Sequence, residues 1–111
     1  MGRYNHLPIF QAGYKLNLDI YCATEQFSRE CKYNLVQTMK ELVLEFLIDI
    51  VAANQKKDKR KALADAKIIL EQIRICVRLA FDLKILGLRR YEYLSRAIEE
   101  VSKQLAGWQA W

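Results

Sequence analysis

A single proline and four glycines stand in 111 residues, too few to turn a chain through the many tight corners of a β-sandwich or barrel. Cysteine is scarce as well: Cys22, Cys31 and Cys76 are isolated, odd in number and without a Cys-x-x-Cys pair. That spacing builds neither a disulfide scaffold nor a closed zinc site, so each thiol is expected to pack as a small apolar residue. His6 is the one histidine. It precedes the first helical pattern and is expected at the surface, where it can form neither a His-rich metal site nor a Cys–His nucleophile pair. The Glu-x-x-His pairs of di-iron bundles and the glycine-rich loops that cradle phosphate are also missing. Glu41 with Glu45, and Glu99 with Glu100, read as solvent-facing or intersubunit charges rather than acid–base pairs. No metal, no cofactor and no enzymatic activity are expected. The longest apolar stretch, Leu42 to Ala53, is broken by Glu45 and Asp49, and the opening MGRYNHLPIF has no secretory apolar core. A soluble, cytoplasmic protein without a membrane partner is the expectation.

What the chain does have is helical periodicity. Hydrophobic residues make up 52% and charged residues 28%, enough for one globular core over residues 1–111. Apolar spacing, with Pro8 suited to a first turn, predicts helices over about residues 8–26, 29–54, 58–86 and 89–106. Ser28 and Asp58 are the expected N-caps of the second and third. Gly87 is the expected C-terminal cap of the third, and Gly107 is expected to interrupt the fourth. On the first helix Phe10, Gly13, Tyr14, Asn17 and Tyr21 mark one face and Ile9, Leu16, Ile20, Ala23 and Phe27 its neighbour; the core rows of the next two are Leu35, Met39, Leu42, Val43, Phe46, Ile50 and Ala53, then Ile69, Leu70, Ile73, Cys76, Val77, Ala80 and Leu83. Tyr91, Leu94, Ile98, Val101, Leu105 and Trp108 complete them. Short turns between long helices imply an all-α, up-down-up-down antiparallel four-helix bundle.

Two helices carry more apolar surface than one bundle interior needs. On the third, Lys67, Glu71, Arg74, Arg78 and Asp82 fall on one narrow stripe, leaving an apolar arc above about 200° where a surface helix needs roughly 100–120°. Ile68, Ile75, Leu79 and Leu86 form its second row. On the second helix, Leu44, Leu47, Ile48 and Val51 lie outside the core row, beside an acidic stripe of Gln37, Glu41, Glu45 and Asp49. A continuous patch across both helices is expected, and such patches mark association. Helix 2 of one subunit against helix 3 of the next would bury Leu44, Ile48, Ile68, Ile75 and Leu79 and set Glu41 and Glu45 beside Arg74 and Arg78. A head-to-tail contact of this kind closes into a ring-shaped homo-oligomer if the rotation permits.

Charge is unevenly spread. Residues 1–55 hold five Lys/Arg against six Asp/Glu, and residues 56–111 hold thirteen against seven. All of the excess positive charge therefore lies in the last two helices and their turns. Lys56, Lys57, Lys59, Arg60 and Lys61 form the densest run, followed by Arg74 and Arg78, then Arg89, Arg90 and Arg96. Basic clusters near Tyr91, Tyr93, Trp108 and Trp111 point to contact with a phosphate backbone, of RNA or also DNA. No zinc-finger, RNP or recognition-helix signature accompanies them, so backbone or shape rather than base sequence would be read.

Several short motifs recur in order along nearly the whole chain. They are Leu7-Pro8-Ile9-Phe10 with Tyr14, Ile20-Tyr21, and Thr24-Glu25-Gln26-Phe27-Ser28-Arg29 before Tyr33 and Leu35. Asn54 with its lysine-rich turn follows, then Leu79-Ala80-Phe81-Asp82-Leu83 before Gly87, Tyr91-Glu92-Tyr93-Leu94-Ser95, and Leu105-Ala106-Gly107-Trp108. Together they resemble the accessory variability determinant proteins of bacterial and phage diversity-generating retroelements, within a wider four-helix class that includes proteins encoded in ribosomal RNA intervening sequences. The resemblance implies a basic homopentamer that binds the retroelement's reverse transcriptase and nucleic acid to support mutagenic retrohoming. It also implies that Arg74 and Arg78 belong to the contact surface. Ser28 stands where many relatives have Pro, and Ala106 where a second Gly is common. The competing reading is a scaffold or RNA-binding protein of the wider class that acts without a reverse transcriptase.

Overall fold

The computed structural model describes residues 6–25, 27 and 32–109. Four α-helices and no strand occur among them: α1 Pro8–Thr24, α2 Gln37–Asn54, α3 Arg60–Asp82 and α4 Leu88–Gln109, with a π-helical turn at Lys32–Val36 leading into α2. Each helix packs on its chain neighbours, and α4 closes the square against α1. The direction of each neighbour follows from contacts that run in opposite order along the pair. Phe46 lies opposite Gly13 while Lys40 lies over Tyr21, and Arg74 meets Glu99 while Phe81 stacks on Tyr91. The bundle is antiparallel and 43 Å long by 22 and 21 Å across.

One row from each helix fills the interior, as the periodicity predicts. Leu16, Ile20, Met39, Phe46, Ile50, Leu70, Ile73, Leu94, Ile98 and Leu105 are almost wholly buried. Gly13 earns its place by proximity: a Cβ there would lie 3.1 Å from the Phe46 ring and 3.3 Å from Leu47 Cδ2. That approach draws Leu47 into the core, where it is 8% exposed, rather than leaving it in the outer row with Leu44. Cys22 is exposed and Cys76 only half-buried, so Cys22 is not the packed thiol expected. Its position places it well off the Leu16–Ile20 stripe. Ser28, the expected cap, and Cys31 lie outside the described residues.

The end of α3 departs furthest from expectation. The helix stops at Asp82, and the left-handed residue that ends it is Lys84, at φ 62°, not Gly87. Ile85 N–H donates to the Ala80 carbonyl at 3.0 Å and Lys84 N–H to the Phe81 carbonyl at 2.9 Å, the two bonds of a Schellman motif. The reversal exchanges two leucines: Leu83 is turned outward at 58% exposure, and Leu86 is drawn inside at 2%. At its other end α3 begins at Arg60, so Lys59 and not the expected Asp58 holds the N-cap position; Asp58, one residue earlier, accepts the Arg60 N–H at Oδ1 at 3.1 Å. Gly107 does not interrupt α4, which continues to Gln109. The helical penalty of one glycine, about 1 kcal/mol, is small against the burial of Leu105 and Trp108 on either side.

A lysine in the left-handed region is strained where glycine is not. Lys84→Gly is expected to raise unfolding stability by about 0.5–1 kcal/mol, and β-branched Lys84→Val to lower it by at least as much. Urea unfolding followed by circular dichroism reads both. Equal midpoints in the three proteins would mean the turn does not hold its Schellman form in solution.

Candidate nucleic-acid and partner interface

The basic residues singled out from the sequence are all on the surface, but they do not form one cluster. Lys56, Lys57, Lys59, Arg60 and Lys61 sit at the α2–α3 turn, at the end of the bundle that also carries the start of α1 and the finish of α4. Arg89 and Arg90 open α4 at the opposite end, beside Ala23, Phe27, Ile85 and Leu86. The 23 residues of α3 separate the two groups by about 35 Å. Arg74 and Arg78 lie between them, in a groove of about 400 Å³ between α3 and α4 that Tyr91 and Ser95 also line.

Ion pairing divides these cations into two kinds. Arg78 Nε donates to both oxygens of Asp82 at 3.1 and 3.0 Å. Arg74 binds Glu99 at 2.6 Å and Glu71 at 3.4 Å; burial opposes its charge, but the two carboxylates hold its pKa above the ordinary guanidinium value. Arg60 makes a two-pronged contact with Asp58 at 3.1 and 3.0 Å, which lowers that carboxyl to about 2. Lys61 pairs with Asp65 at 3.1 Å. Three of these pairs were legible as i, i+3 or i, i+4 spacings; the Arg74–Glu99 bond, between helices, was not. By contrast, Lys56, Lys57, Lys59, Arg89, Arg90 and Arg96 form no ion pair among the described residues. They are the cations free to meet an external anion.

The outer apolar residues are exposed as the surplus-surface argument requires: Leu44 51%, Ile48 57%, Ile68 59%, Ile75 65% and Leu79 46%. They do not form one α2–α3 patch. Lys40, Leu44 and Ile48 lie along one stripe of α2, and Lys40 Nζ stands 4.7 Å from the Tyr21 ring of α1, so this stripe borders α1. There it joins Tyr14, Leu18 and Tyr21, all exposed, which the sequence reading had not assigned to an interface. Ile68 and Leu79 follow the Asp65 side of α3, and Asp65 lies close enough to Asp49 of α2 to act on its titration. The α3 row therefore runs along the outer side of α3, with Ile68 toward α2 and with Ile75 and Leu79 reaching the groove shared with α4. The physical reason is rotation: the two helices turn their surplus rows in different directions about the same core. Across α1 and α4, Lys15 Nζ donates to Tyr93 Oη at 2.6 Å and to Asp19 at 3.1 Å, while Tyr93 Oη donates to Asp19 at 3.1 Å. These bonds raise the lysine pKa, Tyr93 contributing most. No set of three or more His, Cys, Asp or Glu side chains able to hold a metal occurs among the described residues. Among the described residues, no helix is long and apolar enough to cross a membrane.

Asp49 is held above its ordinary 3.8, first by burial and then by the charges of Glu45 and Asp65. An acid raised on folding contributes its full stability below the unfolded value and loses it as pH rises through the folded one. Asp49→Asn is therefore expected to unfold at higher urea than the wild type at pH 7 and at nearly the same urea at pH 3. A wild-type advantage at pH 7 would show that the ionised carboxylate is stabilised by a partner.

No curated protein matches the chain. A protein-family profile described as bAvd-like matches residues 9–111, from the first turn of α1 through the free lysines of the α2–α3 turn to the end of α4. The chain belongs to the bAvd-like family.

Proposed function

We propose that this protein is a non-catalytic accessory subunit of a diversity-generating retroelement. It holds template RNA or its cDNA together with the reverse transcriptase and leaves the chemistry to the polymerase. The family match over residues 9–111 carries this reading. The free cations at both ends of the bundle support the nucleic-acid half of it, since lysine and arginine without carboxylate partners are the groups that displace counterions from a phosphate backbone.

The same reading includes a ring of identical subunits, the pentamer of the family resemblance. Its support is the presence of two unlike apolar surfaces on different sides of the square: Tyr14, Leu18, Leu44 and Ile48 on α1 and α2, and Ile68, Ile75 and Leu79 along the outer side of α3. A head-to-tail contact needs two such surfaces, and their inclination decides whether it closes. Contact directions lie about 90° apart in a four-membered ring and about 108° in a five-membered one. Adjacent faces of a four-helix square fall in this range, whereas opposite faces would build a filament. Arg74 and Arg78, already paired inside the subunit, serve in this arrangement as neutralised side chains of the α3–α4 groove. Glu41 and Glu45 face the neighbouring subunit.

Light scattering should give a mass several times 13.1 kDa, and Ile48→Lys or Ile75→Lys should reduce it to the monomer with helicity unchanged. The purified protein should retain the reverse transcriptase of its retroelement. It should bind RNA with an affinity that falls on the order of 10³-fold between about 50 and 200 mM salt if six or more phosphates are contacted. A folded wild-type monomer would remove the ring, and absence of both partners would favour a scaffold that acts without a reverse transcriptase.

A further inference from the structure

At the end of the bundle that carries the α2–α3 turn, a crevice of about 410 Å³ opens between the start of α1 and the last turn of α4. Its walls are Leu7, Pro8, Ile9, Gln104, Gly107 and Trp108. Apart from Gln104 they are apolar side chains and bare backbone, and a Cβ added to Gly107 would meet nothing within 4 Å, so one wall is flat. Trp108 is half-buried and packs on the core, which fixes the indole while leaving part of it open to the crevice. Gln104 donates its amide N–H to Glu100 at 2.8 Å. Its amide oxygen then remains as an acceptor on a side chain that lines the crevice.

The rim is positively charged. Lys59 Nζ stands 5.8 Å from the Trp108 ring centre, within cation–π range, and so ties the lysine turn to the crevice. Lys56 and Lys57 are adjacent and exposed, and the acid of this turn, Asp58, is taken up by Arg60. A flat aromatic surface in a slot, one hydrogen-bond acceptor at its wall, the Lys59 ammonium beside the indole and two further exposed lysines on the same turn match a flat heterocycle carrying phosphate. A duplex cannot offer this, because its bases are stacked and paired. A single strand can.

We infer that this crevice seats an unpaired nucleobase of single-stranded RNA or DNA against Trp108, with the flanking phosphates on Lys56, Lys57 and Lys59. The inference rests on the nucleic-acid half of the proposed function and adds a position and a mode to it. Stacking on an aromatic is tolerant of sequence because every base has a π-face. Gln104 favours bases that present an exocyclic amine.

The test uses full-length protein carrying Trp111→Phe, which leaves Trp108 as the sole tryptophan. Short oligouridylate and oligoadenylate, and an abasic strand of equal length, are titrated against its fluorescence. Both base-bearing strands should quench Trp108 and the abasic strand should not. Trp108→Ala should weaken oligonucleotide binding by about tenfold, and Trp108→Phe by much less. Lys57→Gln and Lys59→Gln should each weaken all three strands and reduce the salt slope by about one. If Trp108→Ala does not fold, the quenching and the Trp108→Phe variant decide the matter. Tight, unquenched binding equal for abasic and base-bearing strands would overturn the crevice site and leave the phosphate contacts standing. Failure of the unsubstituted protein to bind any strand would remove both.

Discussion

A square of four helices has room inside for one row of side chains from each, and the rest of this molecule follows from that limit. The interior is satisfied by Leu16, Phe46, Ile73, Ile98 and their neighbours along each row, with α1 and α2 drawn together at Gly13 to within a side-chain contact of Phe46. Once those rows are placed, the apolar residues on the opposite side of the same helices are left outside. Tyr14, Leu18, Leu44, Ile48, Ile68, Ile75 and Leu79 are exposed for geometric reasons.

Electrostatics follows the same division between middle and ends. In the middle of α3, the arginines have carboxylates within reach one helical turn away or across a helix pair, as in Arg78–Asp82 and Arg74–Glu99. Exposed pairs of this kind add little stability each, roughly 0–1 kcal/mol. Their larger effect is to spend positive charge locally, so that the middle of α3 presents little net field. At the two ends, Arg60 and Lys61 take up Asp58 and Asp65, and Lys56, Lys57, Arg89 and Arg90 are left without an ion pair among the described residues. Net charge alone would not have distinguished the two groups, since Arg74 and Lys57 count equally in it.

Much of the architecture was legible in the sequence because helix periodicity reports burial directly. The rows through Ile20, Met39, Ile73 and Leu94 needed nothing beyond a spacing of 3.6 residues. What escaped depended on interactions that no single helix encodes. Leu83 and Leu86 changed places because a Schellman turn at Lys84 broke the period three residues before the glycine that would ordinarily mark it. Leu47 moved inward because α1 offers a glycine opposite it. The face on which Leu44 and Ile48 emerge was set by the rotation of α2 about the core, and so their union with Tyr14 and Tyr21 of α1 could be seen only once Lys40 was found over the Tyr21 ring. At the candidate site, the identity of the basic residues was readable; their separation to two ends, and the pairing of Arg74 with Glu99, were not.

The two patterns, apolar rows on the sides and free cations at the ends, are compatible with one assembly and would conflict in others. Side-by-side packing of bundles in the proposed ring would consume the apolar rows, whose burial is worth about 25 cal/mol per Å². It would bring subunits together along the body of α3, where positive charge is already neutralised and repulsion is least. End-to-end stacking would do the opposite, pressing Lys56 and Lys57 toward like charges and leaving Ile48 and Ile75 in water. Side-by-side association also leaves each basic end on a rim of the ring, repeated once per subunit. A long single strand could then engage several weak sites in turn, with effective concentration rather than the strength of any one contact setting the affinity. Trp108, at the same end as Lys57 and Lys59, would lie along that path and recur at the spacing of the subunits.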